Sequence, residues 1–298
     1  MSGFTPDEPT SEPPRPDPQL HRAAALLDLG RPEQALTELG RLPVQVAGTR
    51  VAYQLRATAL TLLDRWDEVV TVARHGLAET GPDADLWGRL GLALRHRREY
   101  VESERALLAA LALDPHSPWL LCQYADLCTA VGQTDKAGRL IARAAEQDPG
   151  APTVFASRYQ HAYATCDDRA AEQVAREFLA VWPEHPAALA LHGAAAAERG
   201  RFRAAGNSFG QAVAQDPTDR EFADAARAYR VYAHPLLVPL RPMVRLGVLR
   251  TWLIAVTVIV LLNLAGLTTA AWAVTVLWLL YCGYSWIVAV LVRRRMLR

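Results

Sequence analysis

Lysine is nearly absent from this 298-residue chain, which has a single lysine, Lys136, against 31 arginines. The glycine-rich loop that precedes a lysine in P-loop proteins is also missing, so the sequence excludes a recognisable P-loop. Four cysteines are too few and too irregularly spaced for a disulfide framework. Cys122 and Cys128 stand six residues apart, which is neither a metal-binding nor a redox spacing.

Acidic residues are missing from one end of the chain. From Arg241 to Arg298 there are seven arginines and no acids, whereas residues 1–240 hold 25 basic and 31 acidic residues, a net charge of −6. Phosphate backbones are bound by clustered positive charge. We therefore expect no nucleic-acid partner for the acidic part of the chain.

Residues 1–20 lack both the basic start and the apolar run of a signal peptide. They combine six prolines with four acids, and such a composition has little apolar surface to bury. We predict a disordered, Pro-rich acidic tail at 1–20. A plain solubilising segment and a linear binding motif are both open for it.

The next 200 residues repeat with a period of 34, which is clearest in the prolines Pro115, Pro149, Pro183 and Pro217. Three further columns share this phase. One contains three glycines, at Gly30, Asp64, Arg98, Gly132, Cys166 and Gly200; one contains small residues, at Ala35, Val69, Ser103, Ala137, Ala171 and Ala205; and one is apolar, at Leu39, Ala73, Leu107, Ile141, Ala175 and Phe209.

This pattern resembles the tetratricopeptide repeat (TPR) family, whose 34-residue helix–turn–helix unit reads W-x2-L-G-x2-Y, then A-x3-F, then P. The best copy has Trp87, Leu90, Gly91, Leu94, Tyr100, Ser103, Leu107, Ala110 and Pro115. A second has Gly193, Gly200, Phe202, Ala205, Phe209, Ala212 and Pro217, and the copies near 16–49 and 152–185 are weaker. The resemblance covers about 204 residues.

The resemblance implies an all-α fold: a right-handed superhelical solenoid of about six units, here at 21–219. One unit cannot bury its apolar face alone, so each is stabilised by its neighbours. Residues 220–234 have apolar side chains at helical spacing and are predicted to form a helix that caps the last unit. Residues 235–247, with three prolines, are predicted to be a juxtamembrane linker.

A run of 42 residues, 251–292, has no charged side chain. A bilayer core needs roughly 20 apolar residues per helix, so we predict two transmembrane helices near 248–265 and 270–292, within a hairpin at 248–298. Arginines flank this hairpin on both sides and are absent from its turn. Positive residues stay on the cytoplasmic side. The predicted location is therefore the inner (plasma) membrane, with both termini and the solenoid cytoplasmic and the lipid bilayer as a partner.

No catalytic constellation stands out in the sequence. His161, Cys166 and Asp167–Asp168 lie around one turn of a weak repeat, where a generic turn is the simpler interpretation. Neither predicted span contains an acid, a histidine or a lysine, as a proton or ion path usually does. We expect no enzymatic activity, no cofactor, no metal and no small-molecule substrate.

Binding is the better-supported prediction. In TPR proteins the first helix of each unit lines a concave groove, and carrying those positions over predicts a partner groove with a peptide or protein ligand. It comprises Gln54, Thr58, Leu92, Arg95, Trp119, Asp126, Gln160 and Tyr163. The lysines and asparagines with which chaperone-binding members of the family hold a carboxylate are missing. Trp119 and Tyr163 either anchor a partner or pack within the repeats.

Two functions follow from these predictions. The first is a membrane-anchored scaffold that recruits or assembles partner proteins in the groove. The alternative is an accessory or regulatory subunit of an integral membrane complex, bound mainly through the hairpin.

Overall fold

The computed structural model describes residues 17–215, 217, 219–233 and 248–296, and every regular element among them is an α-helix. The chain divides into two compact units, Met1–Val174 and Ala175–Arg298. Within the described residues, consecutive helices pack in pairs joined by short turns, as the 34-residue period predicts. The all-α prediction is confirmed.

The first unit is built from helical pairs. Its helices are α1 (Pro18–Asp28), α2 (Pro32–Gly40), the short α3 (Val44–Ala47), α4 (Arg50–Leu62), α5 (Trp66–Thr80), α6 (Ala84–His96), α7 (Tyr100–Leu113), α8 (Pro118–Ala130), α9 (Thr134–Gln147) and α10 (Pro152–Ala164). The unit boundary falls within α11 (Asp168–Val181).

The second unit contains another repeat and a helix packed on it. Its helices are α12 (Pro186–Glu198), α13 (Phe202–Gln215), α14 (Arg220–Tyr232), α15 (Val248–Leu264) and α16 (Thr268–Met296). Helix α14 packs on α13 through aromatic rings, with Tyr229 stacked on Phe209 at 5.5 Å between ring centroids. Burying these rings covers the apolar face that a terminal repeat otherwise exposes.

The small-residue column is where the two helices of a pair approach each other. All six of its members are buried, and so are all six members of the apolar column. In α6, a Cβ atom added at Gly91 would stand 2.6 Å from Leu107 Cγ, and Ser103 Oγ donates a 2.7 Å hydrogen bond to the Gly91 carbonyl. These contacts explain why the sequence keeps both positions small.

The glycine-containing column has a backbone cause. All six of its residues adopt positive φ, including the non-glycines Asp64 (55°), Arg98 (64°) and Cys166 (57°). Each follows the first helix of its pair, and its left-handed conformation turns the chain toward the second helix. Prolines begin the first helices of several pairs, including Pro118 in α8, Pro152 in α10 and Pro186 in α12. At the first helical position the missing N–H has no partner to lose.

The structure differs from the predicted tail and leaves the linker untested. Helix α1 begins at Pro18, with the Asp17 carboxylate accepting a 2.8 Å hydrogen bond from the Gln19 amide, so the predicted tail 1–20 overlaps a capped helix. Residues 1–16 and the predicted linker 235–247 lie outside the described residues.

The two predicted membrane spans correspond to α15 and α16, which pack on each other. Within the part of the chain that the structure describes, no helix combines the length and apolarity that crossing a membrane requires. The prediction of two transmembrane helices finds no support there.

The positive-φ column gives a stability prediction. Gly132→Ala is expected to lower the free energy of unfolding by about 1 kcal/mol, because a left-handed backbone strains any residue with a Cβ. Arg98→Gly relieves that strain and is expected to raise the free energy of unfolding. The gain is expected to stay below about 1 kcal/mol, because glycine also loses more conformational entropy on folding than arginine does. Urea denaturation of the full-length protein, followed by circular dichroism, measures both.

Gly138→Ala is the matched control. Gly138 is helical, and an added Cβ would have its nearest neighbour at an ordinary 3.5 Å, from His161 Nε2. This change is expected to leave stability unchanged or slightly higher. Equal losses at Gly132 and Gly138 would show that the left-handed turn is not the cause.

Candidate functional site

The predicted groove residues lie on the first helices of four successive pairs, α4, α6, α8 and α10, all within the first unit. We call this surface the first-helix face. Each helix contributes side chains of the same repeat positions, so residues 34 apart in sequence become neighbours across adjacent helices. The face is therefore a set of columns.

The side chains at the N-terminal end of the face already have partners. Gln54 Nε2 donates to the two Asp83 carboxylate oxygens at 3.2 and 3.0 Å, and Asp83 also accepts from the Leu86 amide and so caps α6. Thr58 Oγ1 donates to the Gln54 carbonyl in its own helix at 2.7 Å. Gln54 therefore links α4 to the residue that caps α6, whereas Thr58 bonds within α4.

Trp119 lies half-buried against the preceding helix. A Cβ added at Gly88 would stand 2.4 Å from Trp119 Cζ3, so only glycine admits the indole at this place. The guanidinium carbon of Arg89 lies 5.4 Å from the centroid of the Trp119 ring, and Arg89 Nε donates to Asp85 Oδ2 at 2.8 Å. The indole is held from two sides and leaves part of its surface on the face.

Arg95 and Asp126 meet across α6 and α8. Arg95 Nη1 lies 3.9 Å from Asp126 Oδ2, an ion pair too long for a hydrogen bond, while Arg95 Nη2 donates to Gln123 Oε1 at 3.2 Å. The two charged side chains keep only 20% and 17% of their surface exposed. Leu92 is buried beside them in α6.

Burial sets the protonation behaviour of this pair. Loss of hydration raises the pKa of Asp126, and the opposing positive charge of Arg95 and a hydrogen bond from Ser157 offset that rise only in part. Loss of hydration also lowers the pKa of Arg95, against the attraction of Asp126. Both pKa shifts are in the direction that disfavours the charged form, as expected when charges are removed from water. Burying this ion pair therefore costs hydration free energy that a purely structural role does not require.

Gln160 and Tyr163 complete the face on α10, and both are exposed. Tyr163 exposes 56% of its surface, the largest exposed fraction of any described Phe, Trp or Tyr in the first unit. The structure thus separates the predicted residues into three groups: hydrogen-bonded within α4 or to the residue that caps α6, or buried (Gln54, Thr58, Leu92), paired with each other across α6 and α8 (Arg95, Asp126), and exposed at least in part (Trp119, Gln160, Tyr163).

Three polar residues of the face escaped the sequence prediction: Asp85, Arg89 and Gln123. Arg89 and Gln123 stand 34 residues apart, one position after Gly88 and Cys122, which share the repeat position of the predicted groove residue Gln54. The signal that could have revealed Arg89 and Gln123 is a charged or polar residue at the same repeat position of α6 and α8. It was missed because only the positions carried over from the family were used.

The turn that invited a nucleophile interpretation has no such geometry. Cys166 is exposed at positive φ, and the Asp167 carboxylate accepts from the Ala170 amide at 2.9 Å as a helix cap. His161 Nε2 lies 3.0 Å from the Thr134 carbonyl, on the neighbouring α9. Among the described residues, no three His, Cys, Asp or Glu side chains could hold a metal ion together.

A cavity of about 390 Å³ lies away from the first-helix face, between α9, α10 and the start of α11. Small and apolar residues dominate its walls, among them Gly138, Ala142, Ala145 and Val174. It is wide open to solvent, and Arg158, His161 and Asp167 also line it. We assign no ligand to it.

Comparison with known proteins supports the repeat interpretation. Residues 94–164 match the family model described as tetratricopeptide repeat, a segment that contains Arg95, Trp119, Asp126, Gln160 and Tyr163. No curated protein matches the chain.

Solved structures share the fold at low sequence identity. A tetratricopeptide repeat protein from Parabacteroides merdae is 13% identical with a TM-score of 0.60, over 71% of this chain and 83% of that one. PilW, a type IV pilus biogenesis factor, is 18% identical with a TM-score of 0.51, over 69% and 96%. A chain of the APC/C hetero-tetramer Cut9-Hcn1 is 11% identical with a TM-score of 0.54, over 71% of this chain and only 42% of that chain.

Identities this low show the fold alone. The repeat columns, the paired helices, the family match over residues 94–164 and the shared fold agree with one another. The helical pairs of this chain share the all-α fold of tetratricopeptide-repeat structures, and residues 94–164 match the model of that repeat.

Proposed function

We propose that this protein is a membrane-anchored protein–protein interaction scaffold, whose first-helix face holds a segment of a partner protein. The observation that carries the proposal is that the first-helix face has two aromatic residues with exposed surface, Trp119 and Tyr163, together with polar side chains. Aromatic side chains supply large contact area at low entropic cost and dominate the energy of many protein interfaces.

The geometry of the face supports binding over a purely structural role for Tyr163. A phenol that only packs between helices is buried, yet Tyr163 is more than half exposed on α10. Trp119, in contrast, is fixed in place by Gly88 and Arg89 before any partner arrives. A prepositioned indole loses little side-chain freedom on binding, which increases the affinity that the same contact provides.

The proposed anchor is the helical hairpin α15–α16. Large apolar side chains are exposed on both helices, including Trp252 and Leu264 on α15 and Trp272 and Leu277 on α16, the last two at 72% and 68%. Water-soluble surfaces rarely expose apolar patches of more than a few hundred Å². Together with the 42-residue uncharged run, this exposure supports burial of the hairpin in lipid.

Anchoring supports the scaffold function. Holding the solenoid at a bilayer raises its effective concentration toward partners there, so a modest groove affinity suffices. The flanking arginines and the uncharged turn favour an arrangement in which both ends of the hairpin, and the solenoid with them, are cytoplasmic at the inner (plasma) membrane. In the alternative function, the hairpin itself recognises an integral membrane complex.

The groove is tested by purifying the full-length protein in detergent from its own cells and identifying what co-elutes. Trp119→Ala/Tyr163→Ala is expected to lose at least tenfold of a co-eluting partner, because the two aromatic contacts supply the anchor. Val101→Ala/Leu108→Ala, which removes exposed apolar surface from α7, is the control and is expected to retain it. Circular dichroism checks that both variants are folded.

Two outcomes contradict the scaffold proposal. Retention of every partner by the aromatic double variant would show that the groove does not bind them. A membrane partner held equally well by residues 235–298 alone would establish the alternative, an accessory subunit bound through the hairpin.

Membrane insertion is tested by alkaline carbonate extraction. The full-length protein is expected to remain with the membranes, whereas Val258→Asp/Leu277→Asp is expected to be largely released, since each acid costs about 2.5–3.5 kcal/mol in a bilayer core. Leu108→Asp places an acid on an equally apolar but distant exposed position and is expected to stay with the membranes. Extraction of the unaltered protein would rule out an inserted hairpin.

Native cysteines provide the orientation test. Cys166 is exposed, whereas Cys128 and Cys122 are buried, and burial raises the pKa of the Cys122 thiol to about 11. At pH 8 a membrane-impermeant maleimide is therefore expected to label Cys166 only after the plasma membrane is permeabilised. Cys166→Ser identifies the signal, and labelling of Cys166 in sealed cells would place the solenoid outside.

A further inference from the structure

The first-helix face contains a polar cluster formed by Arg95 on α6 and by Gln123 and Asp126 on α8, with Thr129 following Asp126 by three residues on the same helix. Arg95 contacts both Gln123 and Asp126 across the helix boundary. We call these four side chains the floor cluster. Arg95, Thr129 and Tyr163 occupy the same repeat position on α6, α8 and α10, and Trp119 precedes Gln123 by one turn on α8. A chain that contacts both aromatic residues is therefore expected to pass over the cluster.

The floor cluster is electrically balanced. Arg95 and Asp126 oppose each other, and the neighbouring Arg89 is neutralised by Asp85 at 2.8 Å. A carboxylate of a ligand placed here meets Asp126, and an ammonium or guanidinium meets Arg95, in both cases after losing its own hydration. A charged ligand side chain is therefore disfavoured whatever its sign.

The cluster also has unused hydrogen-bonding capacity. Arg95 Nε, Asp126 Oδ1 and Thr129 Oγ1 are buried and have no hydrogen-bond partner among the described residues. They offer a donor, an acceptor and a hydroxyl that can act as either. Buried polar atoms normally have partners, so three unpartnered atoms within one cluster indicate that a further polar group belongs there.

A carboxamide matches this set. Its oxygen accepts from a guanidinium N–H while its NH₂ donates to a carboxylate, and it carries no net charge. Access requires only small rotations: both charged side chains keep part of their surface on the face, and the 3.9 Å contact between them is not a hydrogen bond that must be broken. Turning the Asp126 carboxylate about its last torsion exchanges its two oxygens.

We infer that the floor cluster selects an asparagine or glutamine side chain of the partner segment, and rejects acidic and basic side chains at that position. The inference rests on the proposed groove function and specifies which side chain of the partner segment the groove recognises. The occupant is an extended peptide segment with a carboxamide between two positions that contact Trp119 and Tyr163.

The test is selection from a random 12-residue peptide library displayed on phage, panned on the detergent-solubilised full-length protein. Selected peptides are expected to share one position that is enriched at least fivefold in Asn and Gln and depleted in Asp, Glu, Lys and Arg. Replacing that Asn or Gln by Asp or by Lys in a synthetic peptide is expected to weaken binding at least tenfold, as measured by fluorescence anisotropy.

Charge changes in the protein sharpen the test. Asp126→Asn leaves Arg95 unopposed, so the preference at that position is expected to change to Asp and Glu. Arg95→Gln leaves Asp126 unopposed and is expected to change it to Lys and Arg. The double variant Arg95→Gln/Asp126→Asn restores neutrality and is expected to select uncharged residues again, while Val101→Ala is expected to leave the preference unchanged.

The outcomes distinguish this inference from the function on which it rests. Peptides that bind equally well to Trp119→Ala/Tyr163→Ala, or no selected peptides at all, overturn the groove function and the inference together. Peptides that depend on the two aromatic residues but show no carboxamide preference overturn the inference alone. If a charge variant does not fold, the synthetic Asp and Lys peptides measure the same preference on the unaltered protein.

Discussion

Close approach of the two helices in each pair is the constraint on which the rest of this structure depends. It requires a small, buried residue at each crossing, and the six members of the small-residue column satisfy it, with Ser103 using its hydroxyl to bond the Gly91 carbonyl. Because the crossing is tight, the larger residues of the apolar column reach the next helix and bury it. Stability is consequently distributed over neighbouring contacts, as in other repeat proteins.

The same geometry fixes the turns. A tight pair needs a left-handed residue after its first helix, and Asp64, Arg98 and Cys166 adopt that conformation although they are not glycine. The backbone strain of each is tolerated because the packed helices on both sides determine the path of the chain. Cys166 is therefore explained by its place in the repeat, and its exposure follows from its position in a turn.

The face that the pairs present is less uniform than their core. Packing constrains the crossing positions but leaves the outward positions of the first helices free to vary, and this chain uses them in different ways. Gln54 stabilises the start of the next pair through Asp83, whereas Arg95 and Asp126 form a buried, balanced pair with hydrogen-bonding capacity to spare. A partner that contacts Trp119 meets a neutral polar floor, which is a different recognition surface from a cationic carboxylate clamp.

The sequence by itself determined the helical pairs, their period and their boundaries, since prolines, small residues and turn positions recur every 34 residues and act locally. It also revealed the uncharged run that forms α15 and α16, although within the described residues neither helix meets the requirements for crossing a membrane. Only the tertiary structure decided which face residues are available. Gln54 and Tyr163 are both predicted groove residues, yet Gln54 is bonded to Asp83 and Tyr163 is exposed. The difference arises from side chains of the neighbouring helices, whose distances a one-dimensional pattern does not contain.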